Sequence, residues 1–223
     1  NPTGAVTPIE EFKQLIALAD EHDFIIASDE CYSELYLDET APPPGLLQAC
    51  AELGRNDYRR CVVFHSLSKR SNLPGLRSGF VAGDAALLTP FKRYRTYHGC
   101  AMSIPIQHAS IAAWQDEQHV RANRDAYREK FSAVTDVLAP VMSFPAPQAS
   151  FYLWPAVPGG DDIAFTQRLF AEQHVSVLPG SLMGRTGTNG INPGAGRVRL
   201  ALVAELAPTL EAAQRIRHLI ERG

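Results

Sequence analysis

Lysine is scarce in this 223-residue chain, where Lys13, Lys69, Lys92 and Lys130 are all there are. With the arginines they make 21 cations against 24 acidic side chains, a net charge of -3, and no basic block able to track a phosphate backbone. Nucleic acid is therefore not expected as the main partner. Cysteine is equally sparse. Cys31, Cys50, Cys61 and Cys100 are too scattered for a CxxC metal knuckle and too few for a disulfide framework. They predict reduced packing residues and no metal site. No apolar run approaches the roughly 20 residues of a membrane helix, and the opening NPTGAVTPIEEF has neither a basic start nor an apolar signal core. A cytoplasmic chain without membrane association is the expectation. Internal repeats and low-complexity tracts are also missing.

What is present is 45% hydrophobic content, enough to bury a core. Apolar residues at helical spacing predict a helix over Thr7 to Asp20, with Thr7 as N-cap and Glu10 completing a capping box. Phe24-Ile25-Ile26-Ala27 reads as a strand buried on both faces, with Asp29 at its carboxyl end. A helix over Leu46 to Leu53 and a second buried strand over Cys61 to His65 follow, then a polar loop from Ser66 to Leu76 and a third strand over Gly79 to Gly83. No GxGxxG follows any of these strands, which speaks against a nicotinamide cofactor. From Ile104 to Val141 the residues are helix formers almost throughout, in one long helix or two in series. Beyond Pro147 come short elements: strands over Ser150 to Val157, Val175 to Leu178 and Arg197 to Val203, with helices over Asp162 to Gln173 and Ala207 to Ile220. A Gly-rich loop spans Gly180 to Gly196. The fold class predicted is α/β, with a mostly parallel sheet flanked by helices in residues 1–105, a linking helix over 106–141, and a small α+β domain over 142–223.

The chemistry concentrates in Ser66-Leu67-Ser68-Lys69-Arg70 and Gly75-Leu76-Arg77-Ser78-Gly79. A lysine in a serine-rich turn after a buried strand, with an arginine eight residues later, supplies an imine nitrogen beside hydroxyl and guanidinium ligands for a phosphate. Pyridoxal phosphate needs those groups and one more, a buried carboxylate that keeps its ring nitrogen protonated. Asp29 suits that role, and Tyr32 could donate to the phenolic oxygen.

Asn1-Pro2-Thr3-Gly4, Ser28-Asp29-Glu30-Cys31-Tyr32, Ser66-Leu67-Ser68-Lys69 and Gly75-Leu76-Arg77-Ser78-Gly79 resemble, in order and spacing, the motifs of the fold-type I aminotransferases of class I/II. Gly196-Arg197-Val198-Arg199-Leu200 resembles that family's arginine strand. The resemblance implies Lys69 as Schiff-base lysine and general base, and Asp29 as partner of the pyridinium. It implies Asn1 and Tyr32 at the phenolic oxygen and Ser66, Ser68 and Arg77 at the phosphate. Arg199 would pair with the substrate α-carboxylate, beside Asn1. Spacing alone does not separate Arg199 from Arg197, which share a strand face. A cis Asn1-Pro2 peptide is implied as well.

Asp29 to Glu34, Ser68 to Asn72, Tyr94 to Gly99, Met102 to Pro105 and Ala149 to Trp154 are similar to the N-succinyl-diaminopimelate aminotransferases of lysine biosynthesis. That likeness implies exchange of an amino group between glutamate or 2-oxoglutarate and N-succinyl-diaminopimelate or N-succinyl-2-amino-6-oxopimelate, by a homodimer using pyridoxal 5'-phosphate. A β-lyase, another amino-acid aminotransferase and a catalytically incompetent fragment stay open beside it. Opening within a turn, before any phosphate-cradling loop or ring-stacking aromatic, the sequence leads us to expect a preceding segment.

Overall fold

The computed structural model describes residues 1–223. They divide into two compact units, Val6–Arg124 and Asn1–Ala5 with Asp125–Gly223. No helix is long and apolar enough to cross a membrane. The division falls inside a helix, unlike the expected boundaries at 105 and 141. The first residues join the C-terminal unit because the Gly4 carbonyl accepts from the Gln148 and Ala149 amides at 2.9 and 3.0 Å. Gly4 sits at φ +70, and a Cβ there would lie 2.7 Å from the Ala149 oxygen.

The Val6–Arg124 unit begins with α1 (Ile9–His22), which buries Phe12, Ile16 and Ala19. The expected Thr7 cap does not form. Pro8, with φ fixed near the helical entry value, takes the cap position, and its carbonyl accepts from Glu11 and Phe12. Glu10 pairs instead with Lys13 at 2.8 Å. Strand β1 (Ile26–Asp29) starts two residues later than expected and is not buried on both faces: half-buried and exposed residues alternate, with Phe24 39% and Ile25 55% exposed. One face packs on α1 and α2 (Leu46–Glu52), where Phe12, Ile16, Leu46, Cys50, Cys61 and Val63 form a core that Ile26 joins. Burial there pushes the Cys61 thiol up to about 12, helped by Cys50, which suits an inert packing residue.

Strand β2 (Cys61–Ser66) runs parallel to β1, placing Asp29 beside Phe64. Strand β3 (Gly79–Gly83) returns antiparallel to β2, with Ser66 opposite Gly79. An antiparallel return needs no long crossover, and here one helical turn, α3 (Leu67–Arg70), and a 3-10 turn at Pro74–Leu76 supply it. The close pairing explains Gly79, where a Cβ would meet the His65 carbonyl at 2.3 Å. Then come α4 (Ala85–Tyr97), α5 (Ile104–Gln115) and α6 (Gln118–Leu138). The stretch expected as one long helix or two in series is two helices. Asp116 breaks the run by accepting from the Gln118 amide at 2.9 Å, as a cap for α6.

In the second unit, β4 (Tyr152–Leu153), β5 (Leu178–Pro179) and β6 (Val198–Ala201) form an antiparallel sheet in the order β4-β6-β5. The strand expected over Ser150 to Val157 shortens because Pro155 has no amide to donate. Its carbonyl still accepts from Val198. Helices α7 (Asp162–Gln173) and α8 (Leu206–Glu221) bury Leu169, Ala213, Ile216 and Leu219. Asp161 caps α7, accepting from the Ala164 amide at 2.9 Å. Asp162, buried, accepts from Ser181 and Gly196 at 2.8 and 3.1 Å and so ties both ends of the Gly-rich loop.

Candidate active site

In the Val6–Arg124 unit, two neighbouring parallel strands end in the residues of interest. Ser66 closes β2 and caps α3, its Oγ accepting from the Ser68 amide at 3.0 Å and donating to Ser68 Oγ at 2.8 Å. Lys69 follows within that single turn. It is half-buried, and its Nζ lies 5.8 Å from the centre of the Tyr32 ring, within cation-π range. Four residues cannot hold a helix by themselves. The direction of Lys69 is therefore imposed by what α3 packs against.

Asp29 closes β1. Its Oδ1 accepts from the Cys31 amide at 3.2 Å, an Asx-type turn that leads the chain toward Tyr32. The carboxylate is exposed, contrary to the burial expected of a pyridinium partner, because it continues the outward-facing register of β1. Burial pushes the neighbouring Cys31 thiol up to about 12, and the hydrogen bond to Asp29 adds to this. Glu30 faces the other way. Burial pushes its carboxyl up, yet hydrogen bonds from His65, the Leu46 amide and Ser28 hold it, on balance, below the usual range.

Arg77 lies at φ 51 after the 3-10 turn, and its guanidinium donates to the Pro74 carbonyl at 3.1 Å. Ser66, Arg77 and Ser78 line one cleft of about 700 Å³ with Phe80, Phe91 and Arg95. An amine, two hydroxyls, a guanidinium and an exposed carboxylate on adjoining strand ends suit a molecule with an aldehyde, a phosphate and a basic ring nitrogen.

The other unit holds the remaining expected residues. Arg199 on β6 donates to Asn1 Oδ1 at 3.1 Å and lies 4.5 Å from the Tyr152 ring centre. Arg197 donates to the Trp154 carbonyl at 2.9 Å. Geometry thus separates two arginines that spacing could not: one is committed to the backbone, the other meets Asn1. The Asn1-Pro2 peptide is cis. Tyr152, which carries the aromatic face under Arg199, was not singled out in the sequence. The alternation of β4 opposite Leu200 and Ala201 was the available signal.

A model of the family described as aminotransferase class I and II matches residues 1–215. An LL-diaminopimelate aminotransferase of Nitratidesulfovibrio vulgaris is 33% identical over 98% of this chain and 54% of its own length. A solved aminotransferase structure from Neisseria meningitidis is 54% identical, with a TM-score of 0.91 over 98% of this chain and 55% of that one. A probable N-succinyldiaminopimelate aminotransferase from Thermus thermophilus is 32% identical, with a TM-score of 0.83 over 98% of this chain and 56% of that one. The chain spans about half the length of the curated relatives it matches. It belongs to the pyridoxal-phosphate-dependent aminotransferases of class I and II.

Proposed function

We propose that the chain is the lysine-bearing part of an aminotransferase of lysine biosynthesis. Its reaction moves an amino group between glutamate or 2-oxoglutarate and N-succinyl-diaminopimelate or N-succinyl-2-amino-6-oxopimelate. The observation that carries the reading is Lys69 raised from the end of β2 among Ser66 and Ser68, with Tyr32 beside it. The names of the relatives support the diaminopimelate class. A homodimer in the cytoplasm belongs to the same reading and rests on the family resemblance.

The amine, hydroxyls and guanidinium present fit pyridoxal phosphate, and the exposed Asp29 fits as the ring-nitrogen partner on the condition that the bound ring covers its carboxylate. When bound, that cofactor supplies a carbonyl that condenses with amines and a ring that draws electrons from the carbon bearing the amine. Lys69 supplies the amine that anchors it and then carries the proton removed from the substrate Cα. Asp29 holds a proton on the ring nitrogen. Tyr32 would donate to the phenolic oxygen, while Ser66, Ser68 and Arg77 would hold the phosphate. Arg199 grips the substrate α-carboxylate in the planar geometry that suits a guanidinium, with Asn1 beside it.

The test is an absorbance spectrum of the purified chain with pyridoxal phosphate, before and after borohydride, with mass mapping of the modified lysine. Adduct on Lys69 is expected, and adduct spread evenly over Lys13, Lys92 and Lys130 would overturn the site. Spectral turnover of the loaded chain with glutamate, N-succinyl-diaminopimelate, LL-diaminopimelate and cystathionine then reads the substrate. Faster turnover with free LL-diaminopimelate would favour a second reading, which the 33% identity to enzymes of that name supports.

A further inference from the structure

Four consecutive residues, Lys69 to Asn72, are each held from the α5–α6 junction. The Arg70 guanidinium, on a side chain 5% exposed, donates to the Ala113 carbonyl at 2.8 Å, pairs with Glu117 and lies 5.0 Å from the Trp114 ring centre. Ser71 Oγ is 2.8 Å from His119 Nε2, and His119 Nδ1 is 2.6 Å from Asp116 Oδ2. Asn72 donates to Asn123 Oδ1 at 2.6 Å, and Asn123 Nδ2 donates to the Lys69 carbonyl at 3.4 Å. An ionised carboxylate can only accept, so His119 Nδ1 donates to Asp116, which orients the ring and aims Nε2 at Ser71. The same bond holds the Asp116 carboxyl below the usual range.

Serine, histidine and aspartate in this order of contacts also describe an activated nucleophile. Here the serine side is closed. Ser71 is 9% exposed, and its Oγ accepts from Arg70 Nη1 at 3.4 Å as well. The hydroxyl is a strut between the end of α3 and the start of α6.

We propose that His119 and Asn123 are positioning residues for Lys69, fixing the single turn of α3 through Ser71, Asn72 and the Lys69 carbonyl. The proposal rests on Lys69 being the lysine that engages pyridoxal phosphate. Such a short helix cannot set its own direction, whereas a clamp at each of its last residues and just beyond can.

The experiment compares the full chain with His119→Ala, Asn123→Ala and His119→Gln by two readouts. One is amide hydrogen exchange over Leu67 to Leu73. The other is the rate at which borohydride fixes pyridoxyl on Lys69 relative to the other three lysines. The alanine variants are expected to speed exchange in that segment and slow Lys69 labelling, each about tenfold, the scale of one lost hydrogen bond. Exchange in β2 over Cys61 to Phe64 stays unchanged, and His119→Gln, whose amide oxygen can take the place of Nε2 as acceptor for the Ser71 hydroxyl, restores both readouts. Unchanged exchange, labelling indifferent to faster exchange, or no restoration by glutamine overturns the proposal while the cofactor assignment stands. If the unaltered chain takes up no label at Lys69, the assignment of Lys69 as the anchoring lysine falls and the proposal with it. Should His119→Ala loosen β2 as well, Asn123→Ala carries the decision.

Discussion

The two strand ends of the Val6–Arg124 unit divide presentation and anchoring between adjacent residues, but they anchor in different ways. At the end of β1, Asp29 faces outward while Glu30, its side chain 11% exposed, accepts from the Leu46 amide at 2.8 Å and lies 3.2 Å from His65 Nε2. At the end of β2, Lys69 is presented while Arg70 is buried against α5 and α6. Extended backbone at the end of β1 turns successive side chains to opposite faces, and within the α3 turn neighbouring side chains point roughly 100° apart, so in both places a residue beside the functional one is free to serve the scaffold. The β1 anchor reaches across to its neighbouring strand and helix. The β2 anchor reaches helices more distant in sequence, and with it the whole turn depends on contacts that form only in the folded chain.

The comparison breaks most sharply at Lys69 itself. Lys69→Ala is expected to abolish borohydride-fixed pyridoxyl labelling at that position while leaving the urea unfolding midpoint nearly unchanged, since Arg70 does the anchoring. A large fall in the midpoint would show that presentation and anchoring are not separate.

Glu30→Ala tests the other side. It strips a buried amide and His65 of their acceptor and is expected to cost about 2 kcal/mol in urea unfolding, with the Asp29 turn otherwise retained. The sign of its pH dependence follows from the depressed carboxyl: the contribution is present above the unfolded value near 4.5 and is lost as pH falls through the lower folded value. Glu30→Gln therefore flattens the acid limb of stability. An unaltered limb would remove Glu30 from the account.

The same division sorts the two arginines of β6. Arg199→Ala is expected to raise the glutamate concentration needed for half-maximal spectral change of the loaded chain about tenfold or more, as loss of a charged hydrogen bond implies. Arg197→Ala, which loses a bond to a backbone carbonyl, is expected to lower stability with little effect on that concentration. Reversal of the two results would exchange their roles.

Much of this arrangement was legible from local pattern. The apolar run Cys61 to Phe64 and the glycines bounding Gly79 to Gly83 mark β2 and β3, and the serines around Lys69 mark the turn between them. The clamp on that turn was not legible, because Arg70, Ser71 and Asn72 meet Ala113, His119 and Asn123 across long stretches of sequence. Helix α4 was also missed. Pro90 reads as a breaker, yet α4 buries none of its residues, so a carbonyl left without an amide partner can turn to water. Asp29 shows the limit of motif reading in the other direction: its identity was recognisable, while its exposure follows from strand register.

The smallest effect concerns helix entry, where sequence and structure part over one residue. Thr7 reads as a cap, but Pro8 occupies the cap of α1, whereas at the entry of α7 the side chain of Asp161 caps, accepting from the Ala164 amide at 2.9 Å. Asp161→Ala is expected to cost about 1 kcal/mol, the usual value of a lost N-cap, while Thr7→Ala changes stability by no more than a few tenths. Urea titrations of both variants check this pair. Equal losses would mean that the Thr7 hydroxyl supports α1 in solution despite Pro8, and that the entry to that helix is shared between two residues.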